Sequence, residues 1–153
     1  MKKLWSIVAI LLLLVLLVGC IPDPPANGPF EDYGMPVIEV YLSELDIKKD
    51  GRYNTMEEVG AYLYLYHKLP QNYAKKADFK ASQYTAENKL STGGDTFGNR
   101  EGLLPSGKSY VECDIDYQGG NRNALRIVYS TTDWTIFYTS DHYASFSILR
   151  FYE

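Results

Sequence analysis

The stretch Glu112-Cys113-Asp114-Ile115-Asp116-Tyr117 alternates acidic and apolar residues, and Gly119-Gly120-Asn121 follows one position later. A period of two is the signature of a strand with one face toward a core. Glycines and an asparagine just beyond it read as a tight turn. Past the turn, Arg126-Ile127-Val128-Tyr129 resumes the pattern, with Arg126 and Val128 on one side. The resulting hairpin places Arg126 roughly opposite Asp114, near Glu112, with Arg122 just beyond the turn. One sheet face then carries carboxylates and two guanidiniums with little apolar surface. On pattern alone this is a solvated face laced with salt bridges.

The same period extends outward. Residues 92–97, 109–117, 124–129, 134–139 and 143–149 read as strands. Thr131-Thr132-Asp133 and Ser140-Asp141-His142 supply further turns, so the strands should form an antiparallel meander. Upstream the period becomes helical. Thr55 and Glu58 fit a capping box, Glu57 favours the first turn, and Val59, Tyr62, Leu63 and Tyr66 recur on one face. His67 and Lys68 close that helix and Pro70 stops it. A second helix is expected over 75–83. The expected fold is therefore α+β, with N-terminal helices packed on a five-stranded antiparallel sheet.

The first residues are not expected to belong to that fold. Lys2 and Lys3 precede a run from Leu4 to Val18 in which only Ser6 is polar. The run is short for a membrane span and suits a signal peptide. Leu17-Val18-Gly19-Cys20 resembles a bacterial lipobox, which makes Cys20 the lipidation site of an exported protein. The expected organisation is a lipoprotein signal peptide over 1–19, a lipidated tether and acidic arm over 20–50, and a folded domain over 51–153. The tether, Ile21 to Pro29, holds four prolines in nine residues and should be extended. Val37-Ile38-Glu39-Val40-Tyr41-Leu42 reads as a short strand or an arm packed on the domain.

The chain carries 15 Lys and Arg against 19 Asp and Glu. The excess acid sits early: residues 20–51 hold two lysines and seven acids, whereas the remainder is nearly neutral. Attraction for a polyanion must then come from a local cluster of cations. Of the two cysteines, lipid would consume Cys20. Cys113 reads as a small buried apolar residue, with neither a disulfide nor a cysteine-based metal site expected.

Several segments occur together: Tyr66-His67-Lys68-Leu69-Pro70-Gln71-Asn72-Tyr73, Gly93-Gly94-Asp95-Thr96-Phe97-Gly98-Asn99-Arg100-Glu101-Gly102, Arg126-Ile127-Val128-Tyr129-Ser130, Asp133-Trp134 and Asp141-His142-Tyr143. In this order and spacing they resemble the barnase-type bacterial ribonucleases, from about Gly51 to Arg150. The resemblance implies a guanyl-preferring endoribonuclease acting on single-stranded RNA through a 2′,3′-cyclic phosphate, without metal or other cofactor. Glu112 then matches the general base and His142 the general acid. Lys76, Arg122 and Arg126 match the cations around the phosphate, and Asp114 an acid that orients the arginines. Phe97, Gly98, Asn99, Arg100 and Glu101 match the guanine loop. Glu101 would accept the two donors on the guanine edge, and Tyr143 would line the site. The resemblance also implies a monomer and a barstar-like protein inhibitor.

Some positions depart from that pattern. Gly98 stands where the family has serine, Asn121 where it has an aromatic residue, and Val111 where it has a basic one. The segments from Gln83 to Ser91 and before Tyr110 are shorter than in the family. Two other readings stand beside the enzyme. One is a catalytically inactive surface module that binds RNA or protein on the same fold. The other is a toxin rather than a resident scavenging enzyme.

Overall fold

The computed structural model describes residues 31–153. The expected signal peptide, Cys20 and the expected proline-rich tether lie outside the described residues. The elements are β1 (Val37–Tyr41), α1 (Met56–Tyr66), β2 (Tyr73–Ala74), β3 (Ser91–Phe97), β4 (Tyr110–Asp114), β5 (Arg126–Ser130), β6 (Ile136–Thr139) and β7 (Ser147–Tyr152), with short 3-10 turns at Leu42–Glu44 and Ala81–Gln83. The strands form one sheet in the order β1-β7-β6-β5-β4-β3-β2.

The five strands β3 to β7 make the expected antiparallel meander, and Asp114 pairs with Arg126 in register. Two further strands widen it. β1 lies parallel to β7, with Val37 opposite Ile148, and β2 lies parallel to β3. The fold is α+β, but its sheet is seven-stranded and mixed rather than five-stranded and antiparallel. Both additions sit at edges; β1 pairs with a strand near the other end of the sequence and β2 is only two residues long, and local periodicity reports neither.

Helix α1 starts as its sequence requires. Thr55 is the N-cap, its hydroxyl accepts from the Glu58 amide, and it donates to the Glu58 carboxylate at 2.9 Å. The helix ends at His67, whose backbone is left-handed. The second expected helix does not form. Residues 75–83 make turns and one 3-10 segment. Their apolar residues, Ala77, Phe79 and Ala81, alternate instead of forming a helical stripe, and a lone nine-residue helix without a face to bury is marginal. Competing contacts hold the chain instead. The Lys76 amide donates to Asp95, and the Phe79 ring meets Tyr117 edge-on. The last strand also starts later than its pattern suggests, because residues 140–146 form a structured loop.

Alternation along the strands divides the apolar residues between two cores. Cys113, Ile127, Tyr129, Ile136, Leu149 and Phe151 pack with Val59, Tyr62 and Leu63 of α1. Tyr110, Val128, Phe137 and Ile148 face the other way, joined by Leu104 and Phe146 from loops. Glu112, Asp114 and Arg126 share this second face. It is not the solvated face that the pattern suggested: these three side chains are all buried.

Candidate active site

The site begins with a bulge in β3. The register slips between Gly93 and Asp95, and Gly94 has φ +98°, a conformation that suits glycine. A methyl on Gly93 would lie 2.6 Å from both Cys113 Cβ and a ring carbon of Tyr73. Beyond the bulge, Asp95 lies opposite Glu112 and accepts the backbone N–H of Lys76 at 2.9 Å. That bond sets Lys76 beside Glu112. Its ammonium is ion-paired with Glu112 Oε1, and Tyr143 donates its hydroxyl to Glu112 Oε2 at 2.5 Å. Glu112 is only 6% exposed, whereas Lys76 is about half exposed. Burial and the carboxylate beside it push the Tyr143 phenol up, against the opposing pull of Arg126, so it stays a donor.

One turn of the pleat further along β4, Asp114 holds both arginines. Arg122 Nε and Nη2 each reach an Asp114 oxygen at 2.6 Å, the two-pronged geometry that a guanidinium favours. The carboxylate's hydrogen bonds raise the Arg122 pKa, against partial burial. Arg126 Nε lies 3.0 Å from Asp114 Oδ1, but it is not aligned for a hydrogen bond. The distance still makes an ion pair, and with both side chains almost fully buried that attraction is weakly screened. Arg126 Nη1 instead donates to the Leu125 carbonyl at 2.7 Å and to Asn123 Oδ1 at 3.2 Å.

His142 stands exposed on the loop between β6 and β7, its ring 5.0 Å from that of Tyr143. His142 and Tyr143 both have positive φ, 55° and 72°, a strained pair for residues with side chains. Thr139 and Asp141 hold the loop in this shape. The buried Thr139 hydroxyl donates to Asp141 at 2.8 Å and accepts the Tyr143 amide at 3.1 Å. Asp141 also accepts the Ser145 hydroxyl and amide, and these bonds with that of Thr139 lower its carboxyl to about 2. Sequence reasoning missed Thr139 and Asp95 as supports, since one strand-end threonine and one acid beside a bulge carry no distinguishing pattern.

The loop from Phe97 to Glu101 is shaped by Asn99, which has φ 45°. Its side-chain amide donates to the Leu104 carbonyl at 2.9 Å and accepts the Leu104 N–H at 3.0 Å. Phe97 lies 5.2 Å from the Tyr143 ring, which joins the loop to the carboxylate cluster. Gly98, Arg100 and Glu101 stand exposed on it. The structure thus gathers Lys76, Glu112, Asp114, Arg122, Arg126, Tyr143 and Phe97 and sets His142 at their edge. Among the described residues, no group of three or more His, Cys, Asp or Glu side chains could hold a metal ion.

The fold and the site together define an α+β protein whose sheet carries a charged, largely buried face suited to an anionic substrate. Residues 54–150 match the ribonuclease family model. A ribonuclease of Bacillus intermedius is 37% identical across 98% of this chain and all of its own length. A ribonuclease of Heyndrickxia coagulans is 45% identical over 63% of this chain and 97% of its own length. One of Bacillus pumilus is also 45% identical, over 63% of this chain and 65% of itself. The chain belongs to the ribonuclease family, and RNA is its substrate.

Proposed function

We propose that this ribonuclease cleaves single-stranded RNA after guanosine by transphosphorylation. Glu112 takes the proton of the ribose 2′-hydroxyl. The 2′-oxygen attacks the adjacent phosphorus, and His142 protonates the departing 5′-oxygen. The 2′,3′-cyclic phosphate is then hydrolysed with the two roles reversed. Lys76, Arg122 and Arg126 surround the phosphate and stabilise the charge that builds in the transition state. DNA is not cut, because it lacks the nucleophile.

The observation that carries this reading is the environment of Glu112. A buried carboxylate has one oxygen on a half-exposed lysine and the other on Tyr143, the residue that follows His142 in the same loop. An arriving phosphate competes for the Lys76 ammonium and frees Oε1 to accept the 2′ proton. Lys76 thus neutralises the base at rest and the phosphate during reaction. The guanine edge offers two adjacent donors to Glu101, and backbone N–H groups at Asn99 and Arg100 bind its O6. Asn99 supports this by holding the loop rigid.

The same proposal places the enzyme outside the cytoplasm, lipid-anchored through Cys20 to the outer face of a bacterial membrane. The support is the pattern from Lys2 to Cys20. It also includes monomeric action and a barstar-like inhibitor that sets acids against Lys76, Arg122 and Arg126, with binding that weakens as salt rises. The test of function is the cleavage of GpA, ApA, CpA and UpA, with their 2′-deoxy counterparts, in EDTA. Cutting of GpA far ahead of the others, with no deoxy compound cut, is expected. Equal cutting of all four would remove the guanine preference, and loss of activity in EDTA would remove the metal-free mechanism.

A further inference from the structure

The family match begins at residue 54, yet the described chain before it is built into the sheet and both cores. The carbonyls of Asp46, Ile47 and Lys49 accept the hydroxyls of Tyr53, Tyr66 and Tyr62. These contacts fasten residues 46–49 to the helix side of the fold. The start of the arm goes elsewhere. Tyr33 and Met35 pack against the second core, on the face that carries Glu112.

That core is also the footing of the loop over 98–109. Leu104 is 3% exposed and is the residue that Asn99 clamps at both backbone atoms. Tyr110 donates to the Pro105 carbonyl at 2.6 Å, and its ring lies 6.2 Å from Phe137. Tyr33 lies 6.4 Å from the same Phe137 ring. A second link is polar. Lys108, in the loop, donates to the Tyr33 hydroxyl at 2.9 Å, lies over its ring at 5.0 Å, and is ion-paired with Asp133 at 2.6 Å. Burial opposes the Lys108 charge, but its bonds to Asp133 and Tyr33 prevail and push its pKa up to about 12. The ammonium therefore grips Tyr33 throughout the neutral range.

We propose that Tyr33 is a positioning residue for base selection: the N-terminal arm braces the 98–109 loop and so sets the guanine preference of the enzyme. The inference rests on the reading of Phe97 to Glu101 as the base-binding loop. Its physical content is that Asn99 shapes the loop only as well as Leu104 is anchored, and Leu104 is anchored in a core that the arm completes.

The test compares kcat and KM for GpA and ApA in the full chain and in Tyr33→Ala, Tyr33→Phe, Lys108→Met, Tyr41→Ala and Glu101→Gln. Tyr41 stacks on Tyr152 at the far end of β1 and serves as the control for a loosened arm. Displacing a positioned group slightly can cost up to about a hundredfold, so Tyr33→Ala should raise KM for GpA by roughly tenfold. ApA should change by less than about twofold, and kcat little for either substrate. Tyr33→Phe should keep most of the preference by keeping the ring, and Lys108→Met should lose part of it. Tyr41→Ala should lower the melting temperature without moving the GpA to ApA ratio. An unchanged ratio in Tyr33→Ala, where Glu101→Gln collapses it, would overturn the brace and leave the base loop standing. Equal losses on both dinucleotides in Tyr33→Ala would also overturn it, as general destabilisation. If Glu101→Gln leaves the ratio untouched, the base-loop reading itself falls.

Discussion

The Tyr143 hydroxyl donates to Glu112 Oε2 across 2.5 Å, and the Tyr143 ring lies 5.0 Å from that of His142. One side chain thus joins the central strand bearing the proposed base to the loop bearing the proposed acid. A hydrogen bond to a charged group contributes about 1.5–3 kcal/mol. Tyr143→Phe should therefore lower kcat/KM by at least roughly tenfold. Its melting temperature should fall as well, because the buried Glu112 carboxylate loses a hydrogen bond, although the ring keeps its contact with Phe97. Steady-state kinetics beside thermal denaturation checks both halves.

Thr139 makes a parallel prediction from outside the reacting groups. Thr139→Val keeps the buried volume but removes the acceptor of the Tyr143 amide and the donor to Asp141. His142 and Tyr143 then lose the bonds that offset their strained backbone. Activity should fall by about tenfold or more, given the sensitivity of catalysis to misplacement. A Thr139→Ser variant should recover most of it. If the serine variant were as poor as valine, packing rather than the hydroxyl would be responsible.

Asp114 and Asp116 should behave oppositely. Removing one member of a buried ion pair costs about 3–5 kcal/mol, and Asp114 and Arg126 are 2% and 3% exposed. Asp114→Ala should lose stability on that scale in urea denaturation. Asp116 has its pKa raised by burial, and then by Glu57 and Glu58. The folded protein binds this proton more tightly than the unfolded chain does, so the ionised group opposes folding at neutral pH. Asp116→Asn should raise the melting temperature at pH 7 and have less effect at pH 3.

The Lys108–Asp133 pair sets limits at both ends of the pH scale. Burial opposes the Asp133 charge, but hydrogen bonds from Lys108, Ser130 and Thr135 lower its pKa from 3.8 to about 2. Its contribution to stability is present above the unfolded value and is lost as pH falls toward about 2. Lys108, raised from 10.5 to about 12, contributes fully below 10.5 and loses that contribution as pH rises through about 12. Asp133→Asn should flatten the acid limb of a stability–pH curve, and Lys108→Met the alkaline limb.

The meander was legible because each strand buries one face and its turns use glycine, asparagine or aspartate. That periodicity fixed the register that sets Asp114 against Arg126. The place of β1 in the sheet was not legible, since Val37 pairs with Ile148 near the other end of the sequence. Nor was the burial of the charged face. Alternation tells which side Glu112 takes, but not that Leu104 and Phe146 come from loops to build a second core beside it. The false helix over 75–83 came from residues with helical propensity but no apolar stripe, where tertiary contacts through Asp95 and Tyr117 prevailed.

The central claim is that Glu112 and His142 carry the proton transfers of RNA cleavage. The most direct measurement follows GpA cleavage by the full chain, Glu112→Ala and His142→Ala, with the 2′,3′-cyclic phosphate separated from the final 3′-phosphate. The account predicts that the full chain forms the cyclic product first. Each substitution should slow its formation by about 10²–10⁴-fold, the range of general acid–base catalysis, with the protein still folded. Cyclic phosphate formed at the full rate by either variant, or a 3′-phosphate formed with no cyclic precursor, would contradict it.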